Sequence, residues 1–131
     1  MKQILREKLI VRESFAMAFQ GGEIWFEQLD ALSIYKELVM EKFQKDMEII
    51  KRPSTTGLIA INLNETEVDT DMIQQILGNL AGVSNLQKVV FVGLSNMIKR
   101  YLKRWFSQTP VSFVCNCIDD YEKAKLWLVG R

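Results

Sequence analysis

The sequence predicts a single α/β domain, and three observations lead to that prediction. Two short apolar runs, GLIAINL at 57–63 and KVVFVGL at 88–94, flank an apolar-periodic segment, which is the pattern of two parallel strands joined by a helix. An acidic stretch follows the first run, at the position where folds of this class usually carry function. The chain of 131 residues has the length of one domain, so we expect residues 1–131 to form one unit.

The N-terminal part is predicted to form an antiparallel hairpin. Residues 2–12 (KQILREKLIVR) indicate a first strand. Residues 14–20 (SFAMAFQ) alternate strictly between large and small apolar side chains, as a half-buried strand does. Gly21 and Gly22 break this alternation. Residues 23–30 fit either an irregular connector or the beginning of a helix.

Helices and strands are predicted to alternate along the rest of the chain. Apolar residues at helical spacing predict helices over 29–51, 71–81, 96–107 and 119–129. The remaining apolar runs predict strands over 58–63, 88–94 and 111–117. The expected order is therefore ββαβαβαβα, with about five strands in a mostly parallel sheet and about four helices.

The composition excludes several kinds of catalytic site. The chain has no histidine, which removes histidine-based acid–base chemistry, histidine-activated nucleophiles and most zinc sites. Its 17 basic and 16 acidic side chains give a net charge of +1, which offers no overall electrostatic reason for nucleic-acid binding. We expect no catalytic residues, no cofactor, no metal and no nucleic-acid partner.

The cysteines and the N-terminal residues indicate the cellular compartment of the protein. Cys115 and Cys117 lie two residues apart on a predicted strand and share a face, a geometry poorly suited to a mutual disulfide. We interpret them as core residues in a reducing compartment, with a soft-metal or redox role as the alternative. The first eleven residues lack a continuous apolar run of the kind found in secretory signals. The expected location is the cytoplasm.

Four carboxylates follow the first central strand within seven residues: Glu65, Glu67, Asp69 and Asp71. They fit a solvated loop whose last acids cap the next helix. They also fit an oxygen-ligand site for Mg²⁺ or Ca²⁺, although the spacing is not that of an EF-hand. A third reading is an acidic surface that binds a partner protein. A fourth is phosphorylation of Thr70, which would place a phosphate at a helix N-terminus.

A basic helix face is predicted next to this region. The residues are Lys99, Arg100, Lys103 and Arg104. They lie opposite an apolar face on the predicted helix 96–107, which describes an ordinary amphipathic surface helix. Because aromatic residues lie beside the cations, this face is also a predicted contact for an acidic partner or an anionic membrane.

Large apolar residues directly after the glycine pair form the last predicted site. Trp25 and Phe26 lie in the segment for which no regular structure is assigned. Such residues are expected either to cover the core as a lid or to form an exposed patch. The exposed alternative is a dimer interface or the mouth of a pocket for an apolar ligand.

Three stretches resemble a known family, the STAS domains of anti-sigma-factor antagonists. GGEI at 21–24 resembles the segment between the family's second strand and first helix. IAINLNETEVDTD at 59–71 resembles a family strand with its acidic loop. SNMIKRYLKRWF at 95–106 resembles the segment after the fourth strand. The chain is most similar to the SpoIIAA-like group, also described as STAS/SEC14-related.

The resemblance implies a SpoIIAA-like (STAS) fold with a sheet ordered like the chain. In signalling members, a partner kinase phosphorylates the residue after the loop aspartate, and Thr70 is the matching residue. This chain continues Asp71-Met72, where those members continue Ser/Thr-Ser-Gly. We expect a non-enzymatic interaction module whose partner is a kinase-like anti-sigma factor or another regulator, with a homodimer as a further expectation. The alternative is a peripheral membrane protein that binds a small apolar or lipid-like ligand.

Overall fold

The computed structural model describes residues 9–130, in which five strands and four helices are found. The strands are β1 (Phe15–Phe19), β2 (Gly22–Gln28), β3 (Leu58–Asn62), β4 (Lys88–Val92) and β5 (Val114–Cys117). The helices are α1 (Lys36–Ile50), α2 (Thr70–Ala81), α3 (Asn96–Gln108) and α4 (Tyr121–Leu128). The predicted α/β class is confirmed.

The strands form one mixed sheet in the order of the chain, β1-β2-β3-β4-β5. β1 is antiparallel to β2, and the other neighbouring pairs are parallel. Each parallel connection contains one helix and advances the chain by one strand in the same direction. Connections of one hand therefore place α1, α2 and α3 on the same face of the sheet.

The N-terminal hairpin exists, but it is built from other strands than those predicted. Residues 2–8 of the predicted first strand lie outside the described residues, and residues 9–12 are in no strand. β1 pairs instead with β2, in the register Phe15↔Phe26 to Phe19↔Gly22. Gln20 and Gly21 connect them with φ angles of 45° and 87°. Two positive φ angles are what a tight hairpin turn needs, so the glycines mark a turn and not the end of a sheet segment.

The first helix is shorter than predicted, because residues 29–35 pair with another loop. Leu29 and Leu32 are buried at helix-like spacing, yet the helix begins only at Lys36. The backbone N–H of Ala31 donates to the carbonyl of Asn64 at 2.7 Å, and that of Ser33 donates to the carbonyl of Glu65 at 3.0 Å. These long-range bonds replace the helical ones.

Two apolar layers enclose the sheet. The larger layer lies under α1, α2 and α3 and contains residues such as Phe43, Ile73 and Phe91. The smaller layer lies under α4 and contains residues such as Phe26, Val90 and Leu128. β3 and β4 are central strands with both faces covered, which explains their near-continuous apolar sequences. β1 and β5 are the two edges of the sheet.

Candidate functional site: a groove between α3 and β5

Helix α3 is amphipathic, and its position is fixed at its first turn. The side chain of Ser95 caps the helix by accepting the backbone N–H of Ile98 at 3.3 Å. Ile98 and Leu102 are buried against the sheet. Residues on the other faces of the helix are left at the surface, which is why its cations are exposed or half-buried.

A groove with a cavity volume of about 880 Å³ lies between α3 and β5. Its apolar wall includes Leu102, Phe106 and Phe113. The two phenylalanine rings meet edge to face with their centroids 5.9 Å apart, which fixes this wall. A volume of this size is typical of a site that takes a ligand or a short segment of a partner.

Three cations line the groove: Lys99, Arg100 and Lys103. Lys99 donates to Asp119 at 2.9 Å, and this hydrogen bond raises the pKa of the lysine above its ordinary value. Among residues 9–130, no carboxylate lies within ion-pair distance of Arg100 or Lys103. The groove therefore carries two positive charges that are not neutralised by the described part of the protein. The fourth predicted cation, Arg104, is exposed but does not line the groove.

Both cysteines line the groove as free thiols. Burial raises the pKa of Cys115, and the neighbouring Cys117 adds to the effect. Burial also raises the pKa of Cys117. The two thiols are therefore neutral near pH 7 and act as a weakly polar wall. The predicted shared face is confirmed by their common packing against the larger apolar layer.

The acidic loop lies outside the groove and is held by its own contacts. Asp69 caps α2 by accepting the backbone N–H of Met72 at 2.8 Å, and this bond, together with Lys36, lowers the pKa of Asp69. Lys36 lies 3.1 Å from Asp69 and 3.8 Å from Asp71. The predicted capping is therefore confirmed for Asp69, whereas Asp71 lies in the first turn of α2 and does not cap it. Thr70 is the first residue of α2 and is exposed.

The other two carboxylates of this loop are at the surface, whereas the residue between them is buried. Glu65 and Glu67 are exposed. Thr66 between them is buried, and its hydroxyl donates to the carbonyl of Leu29 while it accepts the backbone N–H of Leu32 at 3.1 Å. The loop is thus fixed to the segment before α1, and its charged side chains point outwards.

Trp25 and Phe26 are neither a lid nor a surface patch. Both belong to β2 and are buried, with 5% and 3% of their surfaces exposed. They point to opposite faces of the sheet, since Trp25 packs in the larger layer and Phe26 in the smaller one. The alternatives of a dimer patch or a ligand pocket at these residues are therefore wrong.

A buried polar cluster beside Trp25 was missed by the sequence reasoning. Glu27 is fully buried, and one of its oxygens accepts the indole N–H of Trp25 at 2.9 Å. Burial raises the pKa of Glu27 to about 9, and the neighbouring Asp46 adds to the rise. The only sequence signal was a glutamate directly after three large apolar residues, IWF at 24–26.

The charges around Glu27 are partly balanced by one lysine. Lys42 donates to Asp46 at 2.8 Å and to the hydroxyl of Ser14 at 2.7 Å. Burial of Asp46 opposes its ionisation, but the neighbouring Glu27 and hydrogen bonds from Lys42 and Ser14 outweigh burial and lower its pKa. Glu27 therefore holds a proton and Asp46 is ionised near neutral pH.

No family model, curated protein or solved structure matches this chain. Within residues 9–130, no helix has both the length and the apolar character that crossing a membrane would require. The groove remains the feature with the clearest binding chemistry, because it combines volume, an apolar wall and two cations that no carboxylate in the described part of the chain neutralises.

Proposed function

We propose that this chain is a non-enzymatic protein-interaction module that binds an acidic segment of a partner in the groove between α3 and β5. The observation that carries the proposal is a pair of cations beside an apolar wall, Arg100 and Lys103, which form no ion pair with a carboxylate of residues 9–130. Such a surface attracts a segment with carboxylates and apolar side chains close together. The charges give orientation and the apolar wall gives affinity.

The protonation states in the groove support binding over proton transfer. The pKa values of both cysteines are raised by burial, so neither thiol is an activated nucleophile near pH 7. The pKa of Lys99 is raised by its bond to Asp119, so this lysine stays charged. Groups that keep one charge state near pH 7 suit a binding surface, whereas a general acid or base works best with a pKa near the working pH.

The chain-ordered α/β sheet agrees with the proposed resemblance to SpoIIAA-like STAS domains. On that basis the partner would be a kinase-like anti-sigma factor or another regulator in the cytoplasm. A phosphate on Thr70 would lie at the N-terminus of α2, where backbone N–H groups favour it. It would also lie beside Asp69 and Asp71, which disfavour it, so we propose Thr70 as a modification site only in the presence of that kinase.

Selection from a library of random peptides displayed on phage tests the proposed function. We expect the enriched peptides to combine acidic and apolar residues. The double substitution Arg100→Glu and Lys103→Glu should weaken their binding by about tenfold or more, because it replaces attraction with repulsion. Arg104→Glu is the matched control, since it reverses a charge on the same helix outside the groove.

Two results would contradict the proposal. One is the absence of any enriched acidic peptide. The other is equal binding to the wild type and to the double variant. If peptides fail, and anionic phosphatidylglycerol vesicles co-sediment with the wild type but not with the double variant, the lipid-binding alternative replaces the protein-binding function.

A further inference from the structure

We propose that the acidic segment binds as an additional β-strand along the outer edge of β5. This inference rests on the proposed function and deepens it, because it specifies how the partner's backbone is held. Strand addition is a common mode of peptide recognition: main-chain hydrogen bonds supply affinity and alternate side chains supply specificity.

The shape of the groove shows that it follows the strand edge. Val114 and Asn116 point to one face of the sheet, whereas Cys115 and Cys117 point to the other. All four residues nevertheless line the same cavity. Because β5 is the last strand of the sheet, a cavity that contacts all four of its residues extends along its free edge.

The backbone of β5 leaves hydrogen-bonding groups at this edge. In a parallel pair, alternate residues direct their N–H and C=O groups towards the neighbouring strand. The N–H of Val114 donates to the carbonyl of Gln87 at 2.9 Å, and the N–H of Ile118 donates to the carbonyl of Phe91 at 3.1 Å. The intervening Cys115 and Cys117 therefore direct their backbone groups outwards.

The two outward amides differ. The N–H of Cys117 donates to the side-chain oxygen of Asn116 at 2.8 Å, so the chain itself occupies that position. The amide of Cys115 faces the same outer edge, and Cys115 lines the groove. An added strand would bond first to Cys115, and extension to Cys117 would require Asn116 to turn away.

The side chains of the added strand would meet two different surfaces. Every second residue of the added strand would face α3. Its carboxylates would lie near Arg100 and Lys103, and its apolar side chains would pack against Leu102. The others would lie beside Val114, which is 59% exposed. β5 has four residues, which corresponds to about 13 Å of extended chain. The bound segment is therefore short, and its residues alternate between those that contact α3 and those that lie beside Val114.

The charge of the groove selects an acidic polypeptide over other occupants of the edge. A second copy of β5 carries no carboxylate within its sequence VCNC, so it does not match the cations of α3. The other edge strand, β1, has the sequence FAMAF and also lacks acidic residues. An anionic lipid matches the charge but has no row of amides for the strand edge.

The test uses the highest-affinity peptide from the phage selection, synthesised with one backbone N-methyl group at each position in turn. N-methylation removes a single N–H donor and leaves the side chains unchanged. We expect affinity to fall by about tenfold at alternate positions and to change less than about twofold at the positions between them. Amide hydrogen exchange of Cys115 in the wild-type protein should slow when the unmodified peptide is bound.

The results separate this inference from the proposed function. If affinity depends on Arg100 and Lys103 but shows no alternation with N-methylation, the proposed function holds and strand addition is wrong. Unchanged exchange at Cys115 in the saturated complex would also overturn strand addition. If no peptide is selected, both the function and the binding mode are overturned.

Discussion

The substitution Glu27→Gln should remove most of the pH dependence of stability between about pH 5.5 and pH 8. Glu27 is fully buried next to Asp46, and its pKa is raised from 4.5 to about 9. In this pH range the folded protein therefore keeps a proton on Glu27, whereas the unfolded chain has lost it. Glutamine has the same shape, cannot ionise, and can still accept the N–H of Trp25.

The sign and size of the effect follow from that difference in bound protons. Because the unfolded state binds fewer protons than the folded state, the free energy of unfolding of the wild type falls as the pH rises. The slope for one such group is about 1.4 kcal/mol per pH unit, which amounts to about 3 kcal/mol over the range. The chain has no histidine, so no other side chain with an ordinary pKa titrates strongly in the same window.

Urea denaturation followed by circular dichroism at several pH values measures this slope. The wild type should lose stability as the pH rises, and Glu27→Gln should give a nearly flat profile. Glu23→Gln is the matched control, since it makes the same change at an exposed position of β2 and should keep the wild-type slope. A flat wild-type profile, or equal slopes in the wild type and Glu27→Gln, would refute the assignment of a protonated buried glutamate.

Two further pairs of substitutions test local features of the fold by the same denaturation measurement. Asp69→Ala should cost about 1 kcal/mol, because Asp69 caps α2, whereas Asp71→Ala in the same helical turn should cost less. Equal costs would contradict the capping role. Gly93→Ala should cost about 2 kcal/mol or more, since φ is +93° and a Cβ would lie 2.6 Å from the backbone nitrogen of Asn64. Gly78 lies inside α2 with open space around it, so Gly78→Ala should instead stabilise the protein by about 0.5 to 1 kcal/mol. A gain in stability from both substitutions would contradict the close approach of Gly93 to Asn64.

The central part of the fold could be predicted from the sequence because its patterns are unambiguous. β3 and β4 are continuous apolar runs with polar residues at their ends, and α2 has a helical apolar period with a cap at its first turn. Their predicted bounds agree with the structure to within two residues. Local pattern and tertiary burial favour the same structure in these elements.

The N-terminal part could not be predicted because local and long-range signals disagree there. Leu29 and Leu32 have helical spacing, but their segment is fixed by hydrogen bonds to a loop more than thirty residues away. Residues 24–26 are all large and apolar and polar residues flank them on both sides, so no two-residue alternation indicates a strand. The partner strand and the buried cluster around Glu27 become visible only in three dimensions.

The candidate site was predicted only in part. The basic face of α3 was identified from its sequence, but the sequence did not separate Arg104 from the cations that line the groove. That separation depends on where β5 lies relative to the helix. The cysteines share a face as expected, yet their position at a sheet edge depends on strand order, which no local pattern contains.

NMR mapping of amide chemical shifts during titration with the selected acidic peptide tests the central claim most directly. We expect the largest changes along β5 and the groove-lining face of α3, with Cys115, Arg100 and Lys103 among them. If the largest changes occur instead in the acidic loop at 64–71, or on β1 at the opposite edge of the sheet, the result would contradict a partner-binding site between α3 and β5.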